Sequence, residues 1–197
     1  MKSIELHIMD ANKVDVESIF YGEYFSEDER IEFEKYTHEA VRKERIVSRY
    51  LKNKYIKDYY IDDSGKPLSR DKYFNISHTH GVVALVIDTV PVGVDIEQIR
   101  KYDEDVKRFI SSPEESQYIK DDQSFFEVWT NKEALAKADG LGLREDVKKI
   151  PSLPINAVHE YHNHIYLNKT INYDNYVITV SRDSLEEYEI IIKDEKL

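Results

Sequence analysis

Residues 126–143 read FEVWTNKEALAKADGLGL, and this stretch decides how the rest of the chain is interpreted. Glu, Ala, Leu and Lys are strong helix formers and no proline interrupts them, so the sequence predicts one helix. Gly140 can adopt the left-handed conformation that ends a helix. Trp129, Glu133 and Lys137 follow one another at intervals of four residues and therefore share one helix face. An aromatic, an acidic and a basic residue on one helix face can form a functional site, or the Glu and Lys can be an ordinary ion pair on the surface.

A second acidic motif lies upstream, in VGVDIE at residues 92–97. Successive residues of a strand face opposite sides, so Asp95 and Glu97 are predicted to point together, opposite to the apolar Val94. Two neighbouring carboxylates repel each other unless a cation or a proton lies between them. Hard oxygen ligands of this kind suit Mg²⁺, which typically takes one or two carboxylates. The alternative is a strand with a solvated acidic face.

The composition limits the class of protein. The chain of 197 residues has 28 Lys and Arg against 39 Asp and Glu, a formal net charge of −11. This acidic excess argues against a general nucleic-acid binder. The absence of Cys excludes disulfides and thiolate metal sites. No apolar run approaches the roughly 20 residues of a membrane span, and the start has no signal-peptide core. We therefore expect a cytoplasmic protein with no membrane or nucleic-acid partner.

A helical tract is predicted in the first part of the chain. Ser26 begins a capping-box pattern, which opens a tract from about residue 27 to residue 60 with a break near Thr37. The second half of the tract is basic. Arg45 and Arg49 lie one turn apart and are candidates for binding an anion, although a solvated helix face is the alternative.

The loop SHTHG at residues 77–81 lies between two predicted strands. Its hydroxyl groups, imidazoles and backbone N–H groups could donate to a phosphate, and the alternative is a polar hairpin loop. His78 and His80 also suggest zinc, but no third ligand occurs at a recognised spacing, so zinc is not favoured.

Short alternating runs predict strands at both ends of the chain. One covers residues 3–9, and the later runs, expected to be antiparallel, cover residues 155–161, 164–169, 176–181 and 188–193. Ser112 and Pro113 predict the start of another helix. Residues 107–110 fit either a protein-docking patch or a buried helix edge. A helical tract followed by strands occurs before and after about Arg100, so a site between two halves would unite both acidic motifs.

Several short motifs occur in a fixed order. They are GKP at residues 65–67, NISHT at 75–79, GVDIE at 93–97, WTNKEALAK at 129–137 and GLGL at 140–143. Together they resemble the motifs of the 4′-phosphopantetheinyl transferase superfamily, of the surfactin-synthetase-activating type. The resemblance covers roughly residues 45–143.

This resemblance implies an α+β fold with two pseudo-symmetric halves, each with a helix packed on a small antiparallel sheet. Residues 1–99 would form the N-terminal half and residues 100–197 the C-terminal half, with the active site between them. It implies an enzyme that transfers 4′-phosphopantetheine from coenzyme A to a serine of an apo acyl or peptidyl carrier protein. We expect a monomer. The alternative is a non-catalytic module that binds coenzyme A or a nucleotide.

The resemblance also implies roles for individual residues. Asp95, Glu97 and Glu133 would hold Mg²⁺. Independently of the resemblance, a serine hydroxyl is a weak nucleophile and needs a base, so we predict that Glu133 and Lys137 are catalytic. Glu133, directly or through a metal-bound water, would be the general base, and Lys137 would stabilise or protonate the leaving 3′,5′-ADP. The residues implied to bind coenzyme A and its phosphates are Arg45, Lys66, Ser77, His78, Lys132 and Lys137.

Overall fold

A computed structural model describes residues 2–56, 58–61, 67–140, 142–143 and 146–196. Gly65 and Lys66 of the GKP motif, and Leu141 after the long helix, lie outside these ranges. The expected contact of Lys66 with a phosphate therefore stays a prediction.

The first sheet contains four strands, β1 (Lys2–Asp10), β4 (Tyr73–Thr79), β5 (Val82–Asp88) and β10 (Tyr188–Asp194). Their spatial order is β10-β1-β5-β4. β5 is antiparallel to both β1 and β4, whereas β10 is parallel to β1. The expectation of an antiparallel strand at residues 188–193 is therefore wrong. The reason is topological, because β10 follows a strand of the other sheet and returns to lie beside β1.

The second sheet contains β6 (Val92–Gln98), β7 (Val158–Tyr161), β8 (His164–Tyr173) and β9 (Tyr176–Asp183). Its order is β6-β9-β8-β7, and all pairs are antiparallel, as predicted for this part of the chain. The predicted hairpin at Asn163 is confirmed, since His162 and Asn163 have φ angles of 48° and 64° in the β7–β8 turn. A separate short hairpin pairs β2 (Tyr59–Ile61) with β3 (Pro67–Ser69).

The helices are α1 (Val16–Phe20), α2 (Glu27–Glu34), α3 (Glu39–Tyr55), α4 (Glu104–Ile110), α5 (Pro113–Tyr118) and α6 (Asp122–Asp139). A 3₁₀ turn follows at Val147–Lys149. The predicted break near Thr37 is confirmed between α2 and α3, but the tract ends at Tyr55 because Tyr59 already begins β2. In the parts of the chain that the structure describes, no helix has the length and apolar character needed to cross a membrane.

The two sheets pack face to face, and each carries a long helix on its outer side. Leu85 of β5 packs with Leu51 of α3, whereas Val86 points the other way and packs with Val94 of β6. α6 lies against β6 and β9 on the outer face of the second sheet. The fold is therefore α+β, as predicted, in the layer order helix, sheet, sheet, helix.

Strands of the two sheets cross the predicted division of the chain. β6 precedes residue 99 but pairs with β9 of the second sheet, and β10 follows it but pairs with β1 of the first. The division of the chain into two halves, residues 1–99 and 100–197, stays a prediction.

Candidate active site

The site depends on a close contact between β6 and α6 at Gly93. A Cβ atom added to Gly93 would lie 2.0 Å from the carbonyl oxygen of Ala134 and 2.6 Å from the backbone nitrogen of Ala138. Only glycine therefore lets the helix backbone rest directly on the strand. Lys137, which precedes Ala138, is carried by this contact to the side of Asp95.

Buried polar side chains fix α6 on the second sheet. Thr130 Oγ1 lies 2.8 Å from Thr179 Oγ1 of β9, and Asn131 Nδ2 donates to Thr170 Oγ1 of β8 at 2.8 Å. Thr179 is also the cross-strand neighbour of Asp95. Sequence reasoning did not single out this network. The sequence nevertheless indicates it, because two adjacent polar residues lie in the middle of an apolar helix and buried polar groups need hydrogen-bond partners.

Asp95 forms the centre of the site and is 4% exposed. Its Oδ1 atom accepts a hydrogen bond from Ser77 Oγ at 2.8 Å and from Lys137 Nζ at 2.6 Å. The ammonium of Lys137 also donates to Ser77 Oγ at 3.1 Å and to the carbonyl oxygen of Val94 at 3.3 Å. Predicted site residues from β4, β6 and α6 therefore meet at one point.

Glu97 faces the same side of β6 as Asp95, as predicted. Its Oε2 atom accepts hydrogen bonds from Thr79 Oγ1 at 3.2 Å and from Arg100 Nη1 at 2.9 Å. Thr79 follows Ser77 by two residues on β4, the same interval that separates the two carboxylates on β6. Arg100 was not a predicted site residue. Its position three residues after the acidic motif was the only signal in the sequence.

Burial controls the charge of the two central carboxyl groups. It raises the pKa of Asp95 above its ordinary value, and the ammonium of Lys137 acts in the opposite direction. Burial also raises the pKa of Glu133 to about 7. Lys137 opposes this rise, whereas the charges of Asp95 and Glu97 add to it. A carboxyl group that titrates near neutral pH can accept and release a proton during a reaction.

The oxygen atoms at the site suit a hard divalent cation such as Mg²⁺. Oδ2 of Asp95 is buried and has no hydrogen-bond partner among the described residues, which is unusual for a buried polar atom. A cation would supply the missing partner.

The expected ligands Asp95, Glu97 and Glu133 do not form a preassembled cage. Within the described ranges, no group of three or more His, Asp or Glu side chains is arranged to hold a metal ion. Mg²⁺ needs only one or two protein carboxylates when phosphate and water complete its coordination. The three-carboxylate assignment therefore stays a prediction.

The placement of Lys132 disagrees with the expected contact to a diphosphate. Its side chain is fully buried, and its ammonium forms an ion pair with Glu115 Oε1 of α5 at 2.7 Å. It also donates to the carbonyl oxygens of Val147 at 3.1 Å and Ile150 at 2.6 Å. Burial lowers the pKa of Lys132, and Glu115 opposes this effect. Lys132 therefore anchors α6 to α5 and to the segment that follows α6.

The predicted phosphate loop at residues 77–81 is only partly a loop, because residues 77–79 are the end of β4 and residues 80–81 form a tight turn to β5. His80 and Gly81 have φ angles of 49° and 88°. The backbone N–H of Gly81 donates to Oε1 of Glu44 on α3 at 2.5 Å, so this donor is already engaged. The N–H of Gly81 is therefore not free for a phosphate, and phosphate binding by the rest of residues 77–81 stays a prediction.

Ser77 and His78 lie on opposite faces of β4, as neighbouring strand residues do. Ser77 points to Asp95, whereas His78 points to α3, where its Nδ1 atom lies 3.2 Å from Glu44 Oε2. Arg45 follows on α3 and is exposed, and its guanidinium donates to the hydroxyl of Tyr36 at 3.0 Å. The phosphate-binding roles predicted for these residues stay predictions.

The basic and apolar residues 107–110 differ in burial. Phe109 is 70% exposed and Ile110 is buried. Lys107 donates to the carbonyl oxygen of Ile119, and Arg108 pairs with Asp105. One side of α4 is therefore a buried helix edge and the other is exposed, and the protein-docking role stays a prediction.

The fold and the acidic site agree with one family of enzymes. A family model described as the 4′-phosphopantetheinyl transferase superfamily matches residues 91–190, slightly more than half of the chain. The chain belongs to this superfamily. Asp95, Glu97, Glu133 and Lys137 lie inside the matched range, whereas Ser77 and His78 precede it.

Comparison with individual proteins gives the same class. The 4′-phosphopantetheinyl transferase Sfp of Bacillus subtilis (strain 168) is 36% identical over 93 residues, which cover 44% of this chain and 38% of that protein. The transferase psf-1 of Bacillus pumilus is 34% identical over 91 residues, covering 42% and 39%. The transferase gsp of Aneurinibacillus migulanus is 38% identical over 91 residues, covering 42% and 38%. The matches thus span well under half the length of these relatives.

Proposed function

We propose that this protein transfers 4′-phosphopantetheine from coenzyme A to a serine of an apo acyl or peptidyl carrier protein, giving the holo carrier and 3′,5′-ADP. Coenzyme A is the substrate in this proposal, and Mg²⁺ is the metal. The names of the relatives supply the class of reaction, and the site in this chain supports it. The proposal includes a monomer that acts in the cytoplasm.

The observation that carries the proposal is the meeting of Ser77, Asp95 and Lys137 beside Glu133. Phosphoryl transfer depends on positioning and on neutralised charge more than on covalent catalysis by the protein. The site contains the buried carboxyl group of Asp95, the ammonium of Lys137 and the carboxyl group of Glu133, whose pKa is about 7. These groups are suited to moving a proton and to offsetting the charge of a diphosphate.

In the proposed reaction, the serine oxygen of the carrier forms a bond to the phosphorus that bears the pantetheine. The bond between that phosphorus and the oxygen shared with 3′,5′-ADP breaks. Glu133 accepts the serine proton, because a hydroxyl group is a weak nucleophile until a base removes its proton. Lys137 offsets the negative charge on the leaving phosphate and donates a proton to it.

Asp95, Glu97 and Glu133 would hold the divalent cation. When bound, Mg²⁺ neutralises diphosphate charge and stabilises the leaving group. The buried Oδ2 of Asp95, which lacks a partner within the described part of the chain, supports this assignment. Three carboxylates without a cation would repel a diphosphate.

Coenzyme A would be bound at two places around the edge of β4. We assign Ser77 and Lys137 to the diphosphate, and His78, Arg45 and Lys66 to the 3′-phosphate. The opposite orientations of Ser77 and His78 support a ligand that passes around this edge strand.

Intact-protein mass spectrometry of an apo carrier protein, incubated with this protein, coenzyme A and Mg²⁺, tests the proposal. A gain of roughly 340 Da that disappears with EDTA is expected, since this is the mass of the transferred cofactor arm. A Glu133→Gln variant should bind coenzyme A but transfer about 100-fold more slowly or worse. Glu127→Gln, on the same helix, is the matched control.

Two other outcomes would change the conclusion. Coenzyme A binding without any mass gain on several carriers would favour the non-catalytic binding module. A Glu133→Gln variant with full turnover would remove Glu133 from the role of general base.

A further inference from the structure

Glu44 reaches from α3 to the β4–β5 turn with both of its carboxylate oxygens. Oε2 lies 3.2 Å from Nδ1 of His78, and Oε1 accepts the backbone N–H of Gly81 at 2.5 Å. The side chain of Glu44 is 17% exposed, whereas that of His78 is 49% exposed. The carboxylate is therefore largely covered, whereas the imidazole is open to a ligand.

The turn itself is also fixed by contacts that do not involve Glu44. The backbone N–H of Ala11 donates to the carbonyl oxygen of Gly81 at 2.8 Å, and Asn12 Nδ2 donates to that of His80 at 3.2 Å. Gly81 has a φ of 88°, and a Cβ atom there would lie 2.2 Å from Asn12 Nδ2. These contacts hold the turn without Glu44. The contact between Glu44 and His78 therefore acts mainly on the imidazole.

That consequence follows from the chemistry of a carboxylate. An ionised carboxylate can only accept hydrogen bonds, so Glu44 Oε2 at 3.2 Å favours a proton on Nδ1 of His78. The contact favours one tautomer and one ring orientation, in which Nε2 is the nitrogen on the side away from Glu44. The imidazole is thus held with a defined nitrogen toward any ligand on the exposed side.

We propose that Glu44 is a positioning residue for coenzyme A binding. It holds His78 so that Nε2 meets the phosphate that is remote from the transfer centre, the 3′-phosphate. This inference rests on the proposed function. An acid next to a phosphate would normally weaken binding, but Glu44 is largely covered, and its two oxygens face His78 Nδ1 and the N–H of Gly81.

Calorimetric titration with coenzyme A and with dephospho-coenzyme A, which lacks the 3′-phosphate, tests this role. Glu44→Ala and His78→Ala should each weaken coenzyme A binding about tenfold and leave binding of dephospho-coenzyme A unchanged. Glu44→Ala should add no further loss in the His78→Ala background, because one residue acts through the other. Glu39→Gln, an exposed acid on the same helix that pairs with Lys43, is the matched control.

The outcomes separate this inference from the function on which it rests. If the unaltered protein binds no coenzyme A, or if His78→Ala binds it normally, the proposed function or its His78 assignment fails. If His78→Ala weakens binding but Glu44→Ala does not, or if the two losses add, the positioning role is overturned. Glu44→Gln keeps an acceptor near Nδ1 and the turn, and should bind more tightly than Glu44→Ala. It also serves as the test variant if the alanine variant does not fold.

Discussion

The ammonium of Lys137 lies 2.6 Å from Oδ1 of Asp95, so a side chain of the protein supplies positive charge at the expected metal ligand. The same ammonium also donates to Ser77 Oγ and to the carbonyl oxygen of Val94. An ammonium and a divalent cation both favour carboxylate oxygen, and they repel each other at short range. The binding of metal and the position of Lys137 should therefore be coupled.

Replacement of Lys137 by alanine should strengthen metal binding in the absence of coenzyme A. Without the ammonium, Asp95 loses its competing partner and the site gains negative charge, so Mn²⁺ used as a probe should bind about tenfold more tightly or better. Titration of the free Mn²⁺ signal by electron paramagnetic resonance measures this. Lys43→Ala, which alters an exposed ion pair on α3, should change nothing. Unchanged or weaker Mn²⁺ binding in Lys137→Ala would contradict the coupling.

The pKa of Glu133 predicts how protein stability depends on pH. Burial raises this pKa from 4.5 to about 7. Between these values the folded protein holds a proton that the unfolded chain has released. The contribution of Glu133 to stability is therefore greatest at low pH and is lost as the pH rises through this window.

Glu133→Gln removes this dependence. We compare the free energy of unfolding of the variant with that of the unaltered protein. This difference should shift in favour of the variant as the pH rises from about 5 to about 8, by up to about 3 kcal/mol. Urea unfolding at both pH values, with EDTA present, measures the difference. Glu127→Gln removes another acidic group from α6 and is the control for the general effect of that loss. A Glu133→Gln effect that is equal at both pH values would show that Glu133 is not protonated in the folded protein at low pH.

Gly93→Ala should damage both stability and transfer activity. The added methyl group would collide with the backbone of α6 at Ala134 and Ala138, and a helix backbone cannot move aside as a flexible side chain can. We expect a loss of about 1–3 kcal/mol or more in the free energy of unfolding. Displacement of α6 would also separate Lys137 from Asp95, so turnover should fall further than the folded fraction does.

Gly142→Ala provides the contrast for this substitution. Gly142 has a φ of 64°, but among the described residues, its chain neighbours aside, no atom lies within 4 Å of the added Cβ. The Gly142→Ala variant should therefore lose about 1 kcal/mol in the free energy of unfolding, through backbone strain alone. Urea unfolding and the mass-spectrometric transfer assay apply to both variants. If the two glycine variants behave alike, the close approach of β6 and α6 does not determine the site.

The sequence predicted those parts of the site that depend on local spacing. The alternation of residues along a strand placed Asp95 and Glu97 together, with Val94 buried on the other side. Spacing by four placed Glu133 and Lys137 on one face of α6. These relationships follow from backbone geometry alone, so one segment of sequence is sufficient to predict them.

Relationships between distant segments were not predictable in this way. The parallel pairing of β10 with β1 depends on a crossover between sheets, and no periodicity in residues 188–193 reports it. The helical spacing shows which residues share a face of α6, but it does not show what packs against each face. Lys132 illustrates the difference, since it belongs to the same motif as Glu133 yet pairs with Glu115 in the core.

Lys132→Met tests whether Lys132 is structural. Removing the ammonium would leave Glu115 buried without its ion-pair partner, which typically costs about 3–5 kcal/mol. Urea unfolding should show this loss, and Lys132→Met combined with Glu115→Gln should recover part of it. Coenzyme A affinity, measured where the variant is folded, should be unchanged, because the ammonium is enclosed by Glu115 and two carbonyl oxygens. A stable Lys132→Met protein with weakened coenzyme A binding would instead support a contact between Lys132 and the diphosphate.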